Sequence, residues 1–160
     1  MGAGILPIAD NKGEIYIMLG RERKQADFRD SIKWSDFGGG QMENESVEEC
    51  AVREGFEETM GMFGSPCMLR RMISECIFRL ETGTYTSYVI EVEYDEKKEQ
   101  DFNDIFKCIK KKHKKLIKEK NGFFEKDMVK WVKLKNYNKY KIRPHYKPIL
   151  ERLCKELLGE

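Results

Sequence analysis

The sequence has no long apolar run and no paired cysteine motif, and both absences narrow the class of protein. No segment of the 160 residues is apolar over the roughly 20 residues that a membrane-spanning helix needs. The chain starts without the basic and then apolar stretch of a signal peptide. Its five cysteines are odd in number and include no Cys-x-x-Cys pair, which argues against a disulfide framework or a zinc knuckle. We therefore expect a soluble cytoplasmic protein that does not bind membranes.

Internal repeats and linkers are also lacking, so we expect one domain over residues 1–160. The net charge is only +2, but its sign changes along the chain. Residues 1–100 carry 12 Lys and Arg against 20 Asp and Glu, whereas residues 101–160 carry 18 against 8. This asymmetry indicates a site that holds cations beside a surface that attracts anions.

The hydrophobic pattern predicts both strands and helices. Strands are predicted over 3–9 and 14–19 as a hairpin, over 68–80 and 84–94 as a second pair, and over 128–134. Helices are predicted over 47–60, 104–120 and 148–158, the first of them with a capping box of Ser46 and Glu49. We therefore predict an α+β fold in which a mixed sheet is sandwiched between helices.

Three carboxylates share one face of the helix predicted over 47–60, because Glu54, Glu57 and Glu58 are three and four residues apart. Carboxylates this close repel each other unless a cation lies among them, and Mg²⁺ prefers such oxygen ligands. The helix alone leaves two interpretations open. It presents either a solvated acidic surface, with Val52 and Phe56 towards the core, or a metal site.

The residues around these glutamates favour the metal site. Gly39 is followed after five residues by Glu45, then after seven by Arg53-Glu54, then after two by Glu57-Glu58. This spacing resembles the Nudix box, the signature of a family that hydrolyses nucleoside diphosphates linked to other moieties. The preceding residues 34–39, an aromatic stretch ending in glycines, are similar to that family too. Two departures affect the helix and its end: Gly55 replaces a bulky apolar residue, and Gly61 comes one residue later than usual.

The resemblance implies an α/β/α sandwich fold and an enzyme that cuts a phosphoanhydride bond with Mg²⁺ or Mn²⁺. It implies that Glu54, Glu57 and Glu58 hold the metal, together with a backbone carbonyl of Gly38 or Gly39. It further implies that Arg53 orients the glutamates through charge-assisted hydrogen bonds, with Glu45 supporting Arg53 from the loop.

Residues outside the box supply further candidates, each with a plain structural alternative. Glu125, just ahead of a predicted strand, is our candidate general base, with Asp127 as the fallback; the alternative is a surface loop. Arg21 and Arg23 follow the hairpin and suit phosphate oxygens, or are ordinary surface arginines. Trp34 either stacks on a base or serves the core.

The helix predicted over 104–120 carries eight lysines between Lys107 and Lys120 and one acid, Glu119. It is either a solvated surface or a track for RNA or polyphosphate. The expected substrate is a nucleoside triphosphate, a dinucleoside polyphosphate or capped RNA. NADH, and to a lesser degree ADP-ribose, is disfavoured, because the proline-rich signature of NADH-type enzymes is absent. The alternative function is an inactive Nudix-fold module that binds RNA or a nucleotide through the basic helix.

Overall fold

The computed structural model describes residues 1–118 and 122–160. Within these ranges the strands are β1 (Gly2–Asn11), β2 (Glu14–Glu22), β3 (Trp34–Ser35), β4 (Phe37–Gly40), β5 (Phe78–Glu81), β6 (Tyr85–Glu91) and β7 (Lys126–Lys133). The helices are α1 (Val47–Glu58), α2 (Pro66–Ser74), α3 (Glu96–Lys112), α4 (Lys114–Lys118) and α5 (Lys147–Leu158), with a 3₁₀ turn at Leu134–Lys139. None of the described helices is long and apolar enough to cross a membrane.

The sheet is mixed, as the sequence predicts, and strand β1 lies at its centre. One edge of β1 runs parallel to β6, and the other edge is shared by two antiparallel partners. Residues 2–5 of β1 pair with β4, and residues 8–11 pair with β2 in the predicted hairpin. Strand β7 pairs with the far edge of β2, and β5 with β6. Residues 3–9 of β1 are all buried, which is typical of a strand that is covered on both faces.

Two apolar clusters show that helices cover both faces of this sheet. On one face, Cys50 and Ala51 of α1, Leu69 of α2 and Phe102 of α3 join the cluster beneath the sheet. On the other face, α5 contributes Ile149, Leu150, Leu153 and Cys154. The predicted sandwich is therefore confirmed, and α1 is fixed against β1 and β4.

The second predicted strand pair is partly wrong. Residues 66–74 form helix α2, so only residues 78–80 of the predicted strand over 68–80 belong to a strand, β5. Ser65 caps α2 through its side chain, which accepts from the Met68 backbone, and Pro66 occupies the first turn. Leu69 and Ile73, four residues apart, are the buried side of this helix. A capping serine followed by proline was the signal for a helix here.

The lysine-rich helix also differs from its prediction. Helix α3 starts earlier, at Glu96, where the Asp95 side chain accepts from the Lys97 backbone and caps it. It ends at Lys112, and His113 separates it from the short α4. The last two residues of the predicted helix, Glu119 and Lys120, lie outside the described residues.

Candidate metal and active site

Helix α1 buries two of its three clustered glutamates. Glu54 and Glu58 are one turn apart and only 8% and 2% exposed, while the Glu57 side chain is 19% exposed. The capping box predicted at Ser46 and Glu49 is present and fixes the start of the helix. The helix ends at Glu58 rather than Met60, because Met60 and Gly61 both adopt left-handed backbone angles. The acidic face of α1 is therefore enclosed rather than solvated.

Strand β4 brings its glycine backbone directly against these carboxylates. The Gly38 amide donates to Glu58 Oε1 at 2.6 Å. A Cβ atom added to Gly39 would lie 2.6 Å from the carboxyl carbon of Glu54, so no larger side chain fits without movement. Close packing also explains why α1 has a glycine at position 55, since a Cβ there would lie 2.9 Å from Ile5 of β1.

Arg53 ties the glutamates to the loop before α1. Its Nε and Nη2 donate to the two carboxylate oxygens of Glu45 at 2.7 and 3.0 Å. Its Nη1 lies 2.8 Å from Glu54 and 3.5 Å from Glu57, and Nη2 also donates to the Gly40 carbonyl at 2.9 Å. One guanidinium thus contacts three carboxylates and the end of β4.

Glu125 reaches the same place from the segment before β7. Glu54, Glu58 and Glu125 each offer a carboxylate oxygen, and these oxygens lie within 4.8 Å of one another. Glu57 stands beside this group, with the backbone of Gly122 against its carboxylate: a Cβ on Gly122 would lie 2.1 Å from Glu57 Oε2. Three convergent carboxylate oxygens form a donor set that fits a hard divalent cation.

A sequence model of the family described as NUDIX domain matches residues 1–153. The chain belongs to the Nudix family. Comparison with curated proteins gives no match. Nudix membership assigns the chain to the enzymes that hydrolyse pyrophosphate bonds in nucleotide derivatives.

Similar solved structures include an Ap4A hydrolase from C. elegans, with 14% identity, a TM-score of 0.60 and 100% of each chain covered. The MutT protein of Methanosarcina mazei Go1 has 16% identity and a TM-score of 0.51, with 97% of this chain and 92% of that one covered. A bifunctional NMN adenylyltransferase/ADP ribose pyrophosphatase from Francisella tularensis has 16% identity and a TM-score of 0.55, with 97% and 41% covered. At such identities the likeness establishes the fold alone.

The pKa values of the Nudix glutamates show that their charged forms are disfavoured in the folded chain. Burial raises the pKa of Glu54 and of Glu57, and Arg53 only partly opposes the rise. Burial raises the pKa of Glu58 well above its ordinary value, against the opposing charge of Lys126. All three carboxyls thus resist ionisation in this protein environment, and a cation among them would relieve that resistance.

A buried charge network behind the Nudix glutamates was missed by the sequence reasoning. Lys126 is fully buried, and its Nζ lies 2.8 Å from Glu22, 3.0 Å from the Ser35 hydroxyl and 4.0 Å from Glu58. Arg143 donates to the same Glu22 at 2.8 Å. A lysine at the start of a strand carries no local signal of burial, because its partners come from distant parts of the chain.

The remaining candidates of the sequence analysis lie around the site in different ways. Arg21 donates to both carboxylate oxygens of Asp127, at 2.8 and 3.2 Å. Asp127, the second candidate for the general base, is therefore already paired with an arginine. The Arg23 backbone amide donates to the Glu125 carbonyl at 2.9 Å, and its guanidinium donates to the carbonyl of Ile117. Arg23 therefore borders the carboxylate cluster.

Trp34 belongs to the cluster beneath α5, on the sheet face away from α1. It is only 8% exposed, and its ring meets the edge of Tyr140 at a centroid distance of 5.5 Å. This geometry leaves the indole little surface for stacking on a base and matches the core alternative.

Proposed function

We propose that this chain hydrolyses a phosphoanhydride bond of a nucleotide derivative and needs Mg²⁺ or Mn²⁺ for the reaction. The observation that carries the proposal is the convergence of Glu54, Glu58 and Glu125, from two separate elements, within 4.8 Å. Two of these carboxyls are buried with raised pKa values, an arrangement that is costly without a cation and useful with one.

Each residue of the carboxylate site has a distinct proposed role. Glu54 and Glu58 hold the cation, Glu57 adds negative charge at its side, and a carbonyl of Gly38 or Gly39 adds a neutral oxygen. When bound, the cation neutralises phosphate charge and lowers the pKa of water. Arg53 keeps the glutamates in place through the contacts described above.

Glu125 is proposed to accept the proton of the attacking water. It is exposed, unlike Glu54 and Glu58, and yet reaches the same point. A carboxylate on the open side of the cluster meets both water and substrate, which is the position that a general base needs. Arg23, whose backbone amide donates to the Glu125 carbonyl, is proposed to bind the phosphates of the substrate.

The hydrolysis products should be separated and measured by chromatography, with Mg²⁺ and with Mn²⁺, over nucleoside triphosphates, dinucleoside polyphosphates, capped RNA and ADP-ribose. Glu57→Gln and Glu58→Gln are run alongside, with Glu48→Gln as the matched control, because Glu48 is an exposed glutamate of the same helix. The proposal predicts metal-dependent turnover of at least one substrate, lost in the first two variants and kept in the third. Absence of turnover, combined with salt-dependent RNA binding, would instead favour the inactive binding module.

A further inference from the structure

The last turns of α3 and all of α4 carry seven lysines, which together we call the basic surface. Every one of its lysine side chains is exposed. Within residues 1–118 and 122–160, no carboxylate forms an ion pair with any of them. The first half of α3 differs, since it carries Glu96, Glu99, Asp101 and Asp104. The basic surface consists of Lys107, Lys110, Lys111, Lys112, Lys114, Lys115 and Lys118.

Helix α3, which carries the first part of the basic surface, packs against the sheet. Phe102 and Phe106 of α3 are buried, at 3% and 4% exposure. The Asn103 side chain accepts from the Val129 amide at 2.9 Å and donates to the Val129 carbonyl at 3.1 Å, so α3 is fixed to β7. At the break around His113, residues 111–116 line a shallow concavity. The first lysines of the basic surface thus extend from a part of α3 that is fixed to the sheet.

One arginine joins the basic surface to the carboxylate cluster. The Arg23 guanidinium donates to the carbonyl of Ile117 in α4, and the Arg23 amide donates to the carbonyl of Glu125. Beyond α4, the described chain resumes at Gly122, whose backbone lies against the carboxylate of Glu57. The basic surface therefore begins at the rim of the site where the phosphoanhydride would be cut.

From this continuity we infer that the basic surface binds the phosphates of a polynucleotide whose 5′ end, carrying the phosphoanhydride, lies at the carboxylate cluster. This inference rests on the proposed function and narrows its substrate class to RNA with a 5′ pyrophosphate linkage. At 1.5 Å per helical residue, the basic part of α3 from Lys107 to Lys112 extends over roughly 8 Å, and α4 from Lys114 to Lys118 extends over roughly 6 Å. Together the two helices offer room for about two to four phosphates. A mononucleotide ends at the site and gains nothing from these lysines.

The test compares one long and one short substrate that carry the same reacting group. Steady-state hydrolysis is measured on a 5′-triphosphorylated RNA of ten nucleotides and on a nucleoside triphosphate, at several salt concentrations. The test variant carries Lys111→Gln, Lys114→Gln and Lys115→Gln. The matched control carries Lys139→Gln, Lys147→Gln and Lys155→Gln, which remove the same charge from exposed positions on or near α5, across the sheet.

The inference predicts that the KM for the RNA rises on the order of 10- to 100-fold at 0.1 M salt in the test variant, since each lost phosphate contact is worth about 0.7 log unit per decade of salt. It also predicts that the salt dependence of that KM becomes shallower by about 2 in log–log slope. The KM for the nucleoside triphosphate, kcat for both substrates and the Tm should stay unchanged. The control variant should behave as wild type.

Equal effects of the two variants on the RNA would overturn the inference, since net charge rather than position would then be responsible. Unchanged RNA kinetics in the test variant, with tighter binding of wild type to vesicles of anionic lipid than to the RNA, would overturn it in favour of a membrane surface. Hydrolysis of neither substrate would instead refute the proposed function, and the inference with it.

Discussion

Arg53→Lys tests whether the guanidinium, rather than its charge, organises the metal site. Arg53 donates to Glu45 twice, to Glu54, to Glu57 and to the Gly40 carbonyl. Lysine keeps the positive charge but has three donors on one atom, so at least two of these five contacts are lost. Each hydrogen bond to a charged group contributes about 1.5–3 kcal/mol. Because the Arg53 side chain is 22% exposed, solvent screening lowers the combined loss to about 2–4 kcal/mol.

A loss of that size lowers the Tm by roughly 4–16 °C in a chain of this length. Loosened glutamates should also weaken Mn²⁺ binding by about 10- to 100-fold, the usual cost of removing a residue that supports metal ligands. Differential scanning fluorimetry and Mn²⁺ titration measure the two effects. The control is Arg79→Lys, which alters an exposed pair with Glu81 and should change neither. Mn²⁺ affinity within about twofold of wild type in Arg53→Lys would refute the reasoning, because support of the metal ligands by Arg53 is its premise.

Three further predictions follow from the same geometry. Gly39→Ala places a Cβ 2.6 Å from the Glu54 carboxyl carbon and should lower Mn²⁺ affinity and turnover, whereas Gly40→Ala, with open space around its Cβ, should change neither. Lys126→Met breaks a buried ion pair and should lower the free energy of unfolding in urea by about 3–5 kcal/mol. In the folded chain, the pKa values of Glu54 and Glu57 are raised above the ordinary value of 4.5. These carboxyls therefore stabilise the fold below pH 4.5, and this contribution to stability is lost as the pH rises through the raised pKa values. The Tm gain on adding Mn²⁺ should therefore grow as the pH rises above 4.5 and through the raised pKa values; a constant gain would contradict this.

The elements with strong local signals were predictable from the sequence. The hairpin of β1 and β2 follows from two apolar runs around a turn that contains Asn11 and Gly13, and α1 follows from its capping box. The spacing of Glu54, Glu57 and Glu58 raised the possibility of a metal site, and the glycines and Arg53 before them favoured it. The contacts among these residues span no more than the 20 positions between Gly38 and Glu58, so their pattern survives in a single sequence.

What the sequence did not show depends on distant contacts or on short competing signals. Residues 68–74 have apolar positions that suit a strand or a helix, and Ser65 with Pro66 decides for the helix. The burial of Lys126 depends on Glu22 and Ser35, 104 and 91 positions away, which no local pattern records. The sequence left Trp34 open between stacking on a base and serving the core, and the sheet places it in the apolar cluster that α5 covers.

The most direct test of the central claim is Mn²⁺ binding to the metal-free protein, followed by the loss of the free Mn²⁺ electron paramagnetic resonance signal. The account predicts saturable binding by wild type and by Glu48→Gln. It predicts weaker binding by at least about tenfold in Glu54→Gln and in Glu58→Gln, the two buried carboxylates that are proposed to hold the ion. If both of these variants bind Mn²⁺ as tightly as wild type, the carboxylate cluster is not the metal site, and the account is wrong.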